Sequence, residues 1–226
     1  MNKKQRILVL GDVHGGLRSM TQVLQRANFN FAKDKLIVLG DISDGWPEAA
    51  EALEFLIENV KNMVFVRGNH DQWLKEWLKS GRQPKIWTMQ GGQATIASYE
   101  RNPELKEKHL AFLKTTKQFY IDEENRVFVH GGVEKGQHPK DTDKQFLTWD
   151  RTIFEQGKDF VDEWEEVYVG HTSIYAYSHV PLLQGNVWFM DTGGGYEGVL
   201  SLMDIDSKEV WQSDPVSTLY PGYSHR

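Results

Sequence analysis

The amino-acid sequence predicts an α/β fold that contains two β-sheets. Three short apolar runs in the N-terminal third each lead to a glycine that is followed by Asp12, Asp41 or Asn69. Continuous apolar runs that end at glycine are typical of strands buried on both faces. The three polar residues are 29 and 28 positions apart. That spacing is the length of one βαβ unit, so parallel strands with right-handed crossovers are expected.

The segments between these strands have helical periodicity. Leu17, Met20 and Leu24 fall on one face of the first segment, and Pro47 opens the second. Proline is favoured at the first position of a helix, and apolar residues every three or four positions predict a helix that packs one face on a sheet. The first part of the chain is therefore expected to alternate strand and helix.

A mostly polar, helical insertion is expected after the third strand, at about residues 72–120. Trp73 and Trp77 are four residues apart there, which favours one buried helix face. Apolar runs at 126–129, 167–169 and 187–190, followed by a hairpin pattern within 199–212, predict the strands of the second half. Because no Pro- or Ser-rich linker interrupts the chain, residues 1–226 are expected to form a single domain.

Composition excludes several classes of protein. The chain has no cysteine, so disulfides, thiol nucleophiles and thiolate-ligated metals are excluded. The formal net charge of −6 argues against nonspecific nucleic-acid binding, which needs a basic face. No apolar run approaches the length of about 20 residues of a membrane span or the core of a signal peptide. A cytoplasmic protein without a membrane partner is therefore expected.

Polar side chains follow the predicted strands at the point where each strand ends. In open α/β sheets, ligands bind beyond the carboxyl ends of the strands, so these side chains are expected to meet. A single Gly-Asp or His-Gly pair is a common turn, but an ordered set of seven such residues favours a metal site. Nitrogen and oxygen ligands together suit Mn, Fe or Zn, and two such ions are a known device for attack on phosphorus. The set is Asp12, His14, Asp41, Asn69, His70, His130 and His171.

The other four histidines follow no predicted strand. They are expected to lie on the surface or in loops, and they are His109, His138, His179 and His225.

The strand-end motifs resemble those of the calcineurin-like metallophosphoesterases. They are Gly11-Asp12-Val13-His14-Gly15, Gly40-Asp41-Ile42-Ser43-Asp44-Gly45, Arg67-Gly68-Asn69-His70-Asp71, His130-Gly131-Gly132 and Gly170-His171, and Thr148-Trp149-Asp150-Arg151 fits the phosphatase branch of the family. Within that superfamily the chain looks most like the phosphoprotein phosphatases, in particular the small bacterial and bacteriophage lambda-type serine/threonine phosphatases. The resemblance covers about residues 6–206. It implies a two-sheet β-sandwich flanked by helices and a binuclear centre of two divalent ions, with Mn²⁺ as the expected ion and Fe or Zn as alternatives.

The resemblance also implies a role for each matching residue. Asp12 and His14 resemble the ligands of a first metal, and Asp41 resembles the carboxylate that bridges both ions. The ligands of the second metal would be Asn69, His130 and His171.

The acid–base and phosphate-binding roles are implied in the same way. His70 resembles the general acid that protonates the leaving oxygen, and Asp44 resembles the partner that orients it. Arg67 and Arg151 resemble phosphate-binding arginines.

Two positions depart from the phosphoprotein phosphatase pattern. The arginine that normally follows the equivalent of Asp44 is replaced by Gly45, and Arg18 or a lysine of the insertion is a candidate substitute. Asp71 stands where protein phosphatases carry glutamate. The related diadenosine tetraphosphate hydrolases carry aspartate at this position. Trp46 is expected either at the substrate mouth or in the core. Asp191 is expected either to cap a turn or to brace a ligand histidine.

The expected function is that of a two-metal phosphomonoesterase of the serine/threonine protein phosphatase type. A hydroxide that bridges the ions would attack phosphorus directly, without a phosphoenzyme. The alternative is a nucleotide or polynucleotide phosphoesterase, including a dinucleoside polyphosphate hydrolase, and the substrate would accordingly be a phosphoprotein or a nucleotide. A non-catalytic metal-binding module is a third hypothesis, but the motif set retains every ligand and the acid.

Overall fold

The structure is a computed structural model that describes residues 5–156 and 163–223, so His225 lies outside the described residues. In chain order the strands are β1 (Ile7–Leu10), β2 (Lys35–Val38), β3 (Met63–Phe65), β4 (Phe119–Ile121), β5 (Arg126–Val129), β6 (Glu166–Val169), β7 (Leu182–Gln184), β8 (Val187–Phe189), β9 (Ser201–Asp204) and β10 (Val210–Gln212).

The helices lie between these strands and after them. They are α1 (Leu17–Arg26), α2 (Ala49–Asn59), α3 (Asn69–Ser80), α4 (Lys85–Trp87), α5 (Gln93–Arg101), α6 (Lys106–Thr115), α7 (Lys144–Trp149), α8 (Thr152–Glu155) and α9 (Val216–Leu219), with a kink at Gln90 and Gly91 between α4 and α5 and a 3-10 turn at Pro103–Leu105. In the described ranges, no helix combines the length and apolar character that crossing a membrane requires.

The strands form two sheets of five strands each. The first sheet has the order β10-β9-β1-β2-β3 and the second has the order β4-β5-β6-β8-β7. In the first sheet β1, β2 and β3 are parallel, and β9 and β10 are the antiparallel hairpin that the sequence predicts. In the second sheet β5, β6 and β8 are parallel, with antiparallel strands at both edges. The predicted two-sheet α/β fold is confirmed.

Alternate residues of each strand serve different layers of the core. Val9 and Ile37 of the first sheet pack with Phe128 and Tyr168 of the second sheet, so this layer joins the two sheets. Leu8 and Leu10 point to the opposite face of β1 and pack against α1 and α2. Because successive side chains point to opposite faces of a strand, a continuous apolar run can serve both layers. The helices α7 and α8 likewise pack on the outer face of the second sheet.

Two strands were not predicted. β4 and β7 are three residues long and lie at the edges of the second sheet. Leu183 at the centre of β7 is 46% exposed, so that strand has no buried apolar run. Both strands form by pairing with a neighbour, and periodicity in the sequence does not reveal such pairing.

The insertion packs its aromatic side chains against α2. Trp77 of α3 and Tyr99 of α5 belong to the same core cluster as the apolar residues of α2. His109 of α6 is fully buried here, so the prediction of a surface or loop histidine is wrong for this residue. Its Nδ1 lies 2.7 Å from the Tyr99 hydroxyl and its Nε2 lies 3.0 Å from Glu54 Oε2. Glu54 is far from His109 in the chain and Tyr99 belongs to another helix, so no local pattern indicated the burial.

The layer between the sheets gives a stability prediction. Phe128 is fully buried, and its ring stacks on Tyr168 with 4.8 Å between centroids. We expect Phe128→Ala to lower the free energy of unfolding by about 3–5 kcal/mol, because it leaves a cavity where the sheets meet. Denaturant unfolding measures this change. Met89→Ala is the control, since Met89 is 68% exposed, and it should change stability by about 0.5 kcal/mol or less. Equal effects of the two variants would contradict this account of the core.

Candidate active site

Two groups of side chains that could hold metal ions meet beyond the carboxyl ends of the parallel strands. His14, Asp41 and His70 form one group, and Asp41, His130 and His171 form the other. In each group one nitrogen or oxygen atom per residue lies within 4.8 Å of the others. Asp41 belongs to both groups, so its carboxylate lies where two cations would share a ligand.

The remaining predicted ligands lie beside these groups. The Asn69 Oδ1 is 3.0 Å from the His130 Nε2, and the backbone N–H of His171 donates to Asp12 Oδ2 at 2.9 Å. The structure therefore brings together all the residues that the sequence singled out as metal ligands.

The turns that carry the site have unusual backbone conformations. Four of the seven non-glycine residues with positive φ in the described ranges are site residues, namely His14, Asp41, Asp44 and His171. A left-handed conformation costs roughly 1 kcal/mol or more for most residues. Hydrogen bonds between the turns offset this cost, since the N–H groups of Val13 and His14 both donate to the Asp41 carbonyl at 3.1 and 2.8 Å.

Asp71 fastens the turn that holds Asp41. Its Oδ2 accepts from the N–H groups of Gly68 and Asp41 at 2.7 and 2.9 Å, and its Oδ1 accepts from the N–H of Ile42 at 3.0 Å. Burial and the neighbouring Asp41 raise the pKa of Asp71 to about 6. The sequence marked this residue only as a departure from the family pattern, whereas the structure shows that it links two strand ends.

The ring orientations of three histidines are set by backbone carbonyls. Nδ1 of His14 lies 2.8 Å from the Asp44 carbonyl, and Nδ1 of His130 lies 2.7 Å from that of Leu39. Nε2 of His171 lies 3.2 Å from the Trp149 carbonyl. Since a carbonyl only accepts, these nitrogens carry the proton and the opposite nitrogen is left as a ligand. Metal-binding histidines are commonly oriented in this way.

The electrostatics of the site favour positive charge at its centre. Burial disfavours a charged His130, but Asp41 and Asp12 outweigh it and raise the pKa of His130 to about 10. Burial also opposes the charge of Asp41, but His130 and His70 hold the pKa of that carboxyl well below its usual range. Burial, and then the neighbouring Asp191, raise the pKa of Asp12 well above its usual range. The carboxylates therefore attract a proton or a cation.

The donor set fits divalent cations. Asp12 Oδ1 is buried and has no hydrogen-bond partner among the described residues. His130 Nε2, opposite the nitrogen that donates to Leu39, faces two oxygens, Asn69 Oδ1 at 3.0 Å and Asp41 Oδ2 at 3.3 Å. When His130 is neutral, its proton is on Nδ1, so Nε2 and the two facing oxygens are all acceptors with no hydrogen between them. Mixed imidazole, carboxylate and amide ligands suit Mn, Fe or Zn.

His70 lies at the edge of the site with its ring held in place. Its Nδ1 lies 2.8 Å from Asp44 Oδ2, and its Nε2 points towards the site at 4.0 Å from Asp41 Oδ2. The same Asp44 carboxylate accepts from Trp87 Nε1 at 2.7 Å and from Thr95 Oγ1 at 2.6 Å. Trp87 and Thr95 come from the insertion, and no motif in the sequence linked them to the site.

The two predicted phosphate-binding arginines lie in different places. Arg151 lines the metal pocket, and its Nη1 donates to the His171 carbonyl at 2.9 Å. Arg67 does not line this pocket. Its guanidinium donates to Thr116 Oγ1 and to the carbonyls of Thr116 and Leu113 at 2.8–3.1 Å, and it faces a neighbouring cavity.

The backbone explains the missing arginine after Asp44. Gly45 has a φ of +132°, a conformation that a side chain disfavours, and a Cβ there would lie 3.2 Å from the His14 carbonyl oxygen. The insertion lies directly against this glycine, since a Cβ on Gly91 would lie 2.5 Å from the Gly45 nitrogen. The insertion contributes Gln90 to the pocket lining, and no motif in the sequence indicated this.

Other residues considered in the sequence have structural contacts. Trp46 is fully buried and stacks on Tyr220 with 5.2 Å between centroids, so it is a core residue. Arg18 also contacts this C-terminal segment, where it donates to the Leu219 carbonyl, and it does not line the pocket. Asp191 caps a turn by accepting from the Gly193 N–H at 2.9 Å, and it lines the pocket as well.

The order and geometry of these motifs match a known family. Residues 5–198 match the model of the calcineurin-like phosphoesterases. The chain belongs to this family. The predicted superfamily is thereby confirmed, and a metal-dependent phosphoester hydrolase is the activity class that follows.

Proteins with similar sequences extend over almost the same length. The chain is 25% identical to the asymmetrical bis(5′-nucleosyl)-tetraphosphatase PrpE of Bacillus cereus strain Q1, over 89% of this chain and 91% of that protein. It is 26% identical to the enzyme of the same name from Bacillus mycoides strain KBAB4, over 85% of this chain and 87% of that protein.

Solved structures share the fold. One, described as a candidate diadenosine tetraphosphatase, has a TM-score of 0.68 and 16% identity, and covers 93% of this chain and 94% of its own. A serine/threonine phosphatase of Saccharomyces cerevisiae similar to human phosphatase PP5 has a TM-score of 0.66 and 14% identity, with coverage of 99% and 84%. At these identities, the two structures support the fold alone.

Thr95 provides a test of how the insertion positions His70. It donates to Asp44 Oδ1 and accepts from the Asp44 N–H at 2.9 Å. We expect Thr95→Val to lower kcat about tenfold with little change in KM, because the charge-assisted hydrogen bond to the Asp44 carboxylate and the bond from the Asp44 N–H are both lost while the side-chain size is nearly kept. Steady-state kinetics with an alkyl phosphate measure the effect.

The leaving group supplies the control for this variant. Nitrophenyl phosphate needs little protonation of its leaving group, so its turnover should change less than that of the alkyl phosphate. Thr88→Val is a matched substitution, since the Thr88 hydroxyl donates to the Lys85 carbonyl and makes no other hydrogen bond among the described residues. Equal losses on both substrates would show that Thr95 acts on stability alone.

Proposed function

We propose that this protein hydrolyses dinucleoside polyphosphates at a two-metal centre, which is the alternative that the sequence leaves open. The observation that carries the proposal is the pair of ligand groups that share Asp41. Relatives that align with most of the chain support the substrate class. The serine/threonine phosphatase hypothesis has support from similarity of fold.

In this proposal Asp12, His14 and Asp41 hold one ion. The other ion is held by Asp41 with Asn69, His130 and His171. Bound divalent cations would supply Lewis-acid polarisation and positive charge for the phosphoryl group under attack. We propose Mn²⁺ as the ion, with Fe and Zn as alternatives to be separated by metal analysis of the purified protein.

The remaining chemistry belongs to the side chains of the pocket. In hydrolysis, a water oxygen forms a bond to phosphorus while the bond to the leaving phosphate oxygen breaks. Arg151 is positioned to contact the phosphoryl oxygens, and His70 Nε2 is the proton donor to the leaving oxygen. Asp44 keeps the Nδ1 proton of His70 in place and supports the charged imidazole.

The mouth of the pocket is consistent with a nucleotide substrate. Trp149 and Tyr196 line it and are 37% and 42% exposed. Exposed aromatic rings offer a surface on which a nucleobase stacks. The neutral Gln90 lies in the lining beside Gly45, where protein phosphatases carry an arginine, so the phosphate contacts differ from those of that branch.

Product analysis tests the proposed substrate. With a dinucleoside tetraphosphate and Mn²⁺, we expect unequal products, one nucleoside triphosphate and one nucleoside monophosphate, at a kcat/KM above that for a phosphoserine peptide. Ion-exchange chromatography separates these products. Asp41→Asn is the control for contaminating phosphatases and should be inactive. Preferential hydrolysis of the phosphopeptide, or two nucleoside diphosphates as products, would contradict this proposal.

His70 gives a prediction that depends on the leaving group. His70→Asn should lower turnover of an alkyl phosphate by about 10²–10⁴. It should lower turnover of a dinucleoside tetraphosphate less, because a triphosphate is a more acidic leaving group than an alcohol. Metal content, measured by mass spectrometry, should stay unchanged. Full activity of the variant on the alkyl phosphate would rule out His70 as the proton donor.

A further inference from the structure

A second cavity lies beside the metal pocket, between α3 and α7. Its volume is about 340 Å³, compared with about 50 Å³ for the metal pocket. Trp149 lines both, so its ring divides the small metal pocket from the larger cavity. The larger cavity falls in the size range of ligand sites, about 300–1,000 Å³, and the metal pocket lies below that range.

The lining of this cavity is cationic. Arg67, Lys75 and Lys144 contribute positive charge, and Gln118 and Gln145 add amide groups. None of the described residues that line it is acidic. Such a concave surface with charge of one sign concentrates anions.

Acidic neighbours offset the charge of the cavity cations only in part, since Asp71 acts on Arg67 and Glu76 acts on Lys75 without reversing the lowered pKa of either group. Within residues 5–156 and 163–223, neither Lys75 nor Lys144 forms an ion pair, and Arg67 Nη1 makes no hydrogen bond. Burial and the nearby Arg67 lower the pKa of Lys75. Bringing an anion into the cavity would relieve this repulsion. In contrast, Lys108 at the far side of the insertion is paired with Glu54 at 2.8 Å.

Trp149 connects the cavity to the site. Its ring lies 5.8 Å from the ring of His171 and 5.1 Å from that of Trp73, and more than a third of it is exposed. A flexible phosphate chain that starts at the metal pocket can therefore cross the exposed edge of Trp149 and enter the cavity.

We propose that this cavity binds the distal phosphates of the substrate, which are the phosphate groups beyond the one attacked. The inference rests on the proposed function for the identity of the substrate. Beyond that function, it specifies on which side of the metal pocket the leaving polyphosphate lies. A cationic cavity on one side of the metal pocket places most of the phosphate chain there, which favours cleavage into unequal products.

A double variant tests the cavity. Lys75→Met with Lys144→Met removes two charges and keeps the length of the side chains. In the metal-loaded full chain, we expect KM for a dinucleoside tetraphosphate to rise tenfold or more. The ratio of its kcat/KM to that for nitrophenyl phosphate should fall by a similar factor, because nitrophenyl phosphate has no distal phosphates.

A second double variant is the charge-matched control. Lys79→Met with Lys114→Met removes the same charge close to Lys75 but outside the cavity. We expect it to change KM less than twofold. If the control variant raises KM as much as the cavity variant does, general attraction explains the effect and the inference is overturned.

Binding of inorganic tripolyphosphate provides a readout without turnover. Calorimetry on the metal-loaded chain, at constant free metal, should give a Kd that rises tenfold or more in the cavity variant and stays unchanged in the control. An unchanged Kd in the cavity variant would overturn the inference. If the wild-type chain binds tripolyphosphate through the cavity but does not cleave dinucleoside tetraphosphates, the proposed substrate is wrong and the anion cavity stands.

Discussion

The buried carboxylate of Asp41 is the constraint on which the site depends. A charge in this environment is costly unless it is paired and hydrogen-bonded. Its Oδ1 accepts from the His70 N–H at 3.0 Å, and its Oδ2 lies 3.3 Å from His130 Nε2. Because β2 ends here between β1 and β3, the turns after all three strands are built around this side chain. Asp71 holds those turns through backbone N–H groups, so the position of Asp41 is determined by the sheet.

The helical insertion completes the site. Asp44 follows the same strand end as Asp41, but its carboxylate is held by Trp87 and Thr95 of the insertion. The turn at Gln90 and Gly91 packs on Gly45 and contributes to the pocket lining. One compact segment therefore holds the partner of His70 and shapes the place where related enzymes carry an arginine. Changes in this segment would alter phosphate contacts while the metal ligands stay in place.

Trp149 lies between two cavities of different size and charge. On one side Arg151 and the Asp41 ligand groups form a small pocket, and on the other Arg67 faces a larger cationic cavity. The two arginines that the family resemblance implies as phosphate-binding thus line different cavities, which share Trp149. The proposed substrate, with several linked phosphates, would use both sides of this division.

The sequence by itself determined the α/β class, the parallel strands β1–β3 and which strand-end side chains would meet. These features are local: each motif follows an apolar run, and the carboxyl ends of parallel strands must meet at one edge of a sheet. The edge strands β4 and β7, the burial of His109 and the contacts of Trp87 and Thr95 with Asp44 were decided only by the tertiary structure. Each depends on partners far apart in the chain, whose approach is set by packing of the insertion and the sheets. The direction of Arg67 was decided in the same way, because its hydrogen bonds to Thr116 and Leu113 arise only when α6 packs against the end of β3.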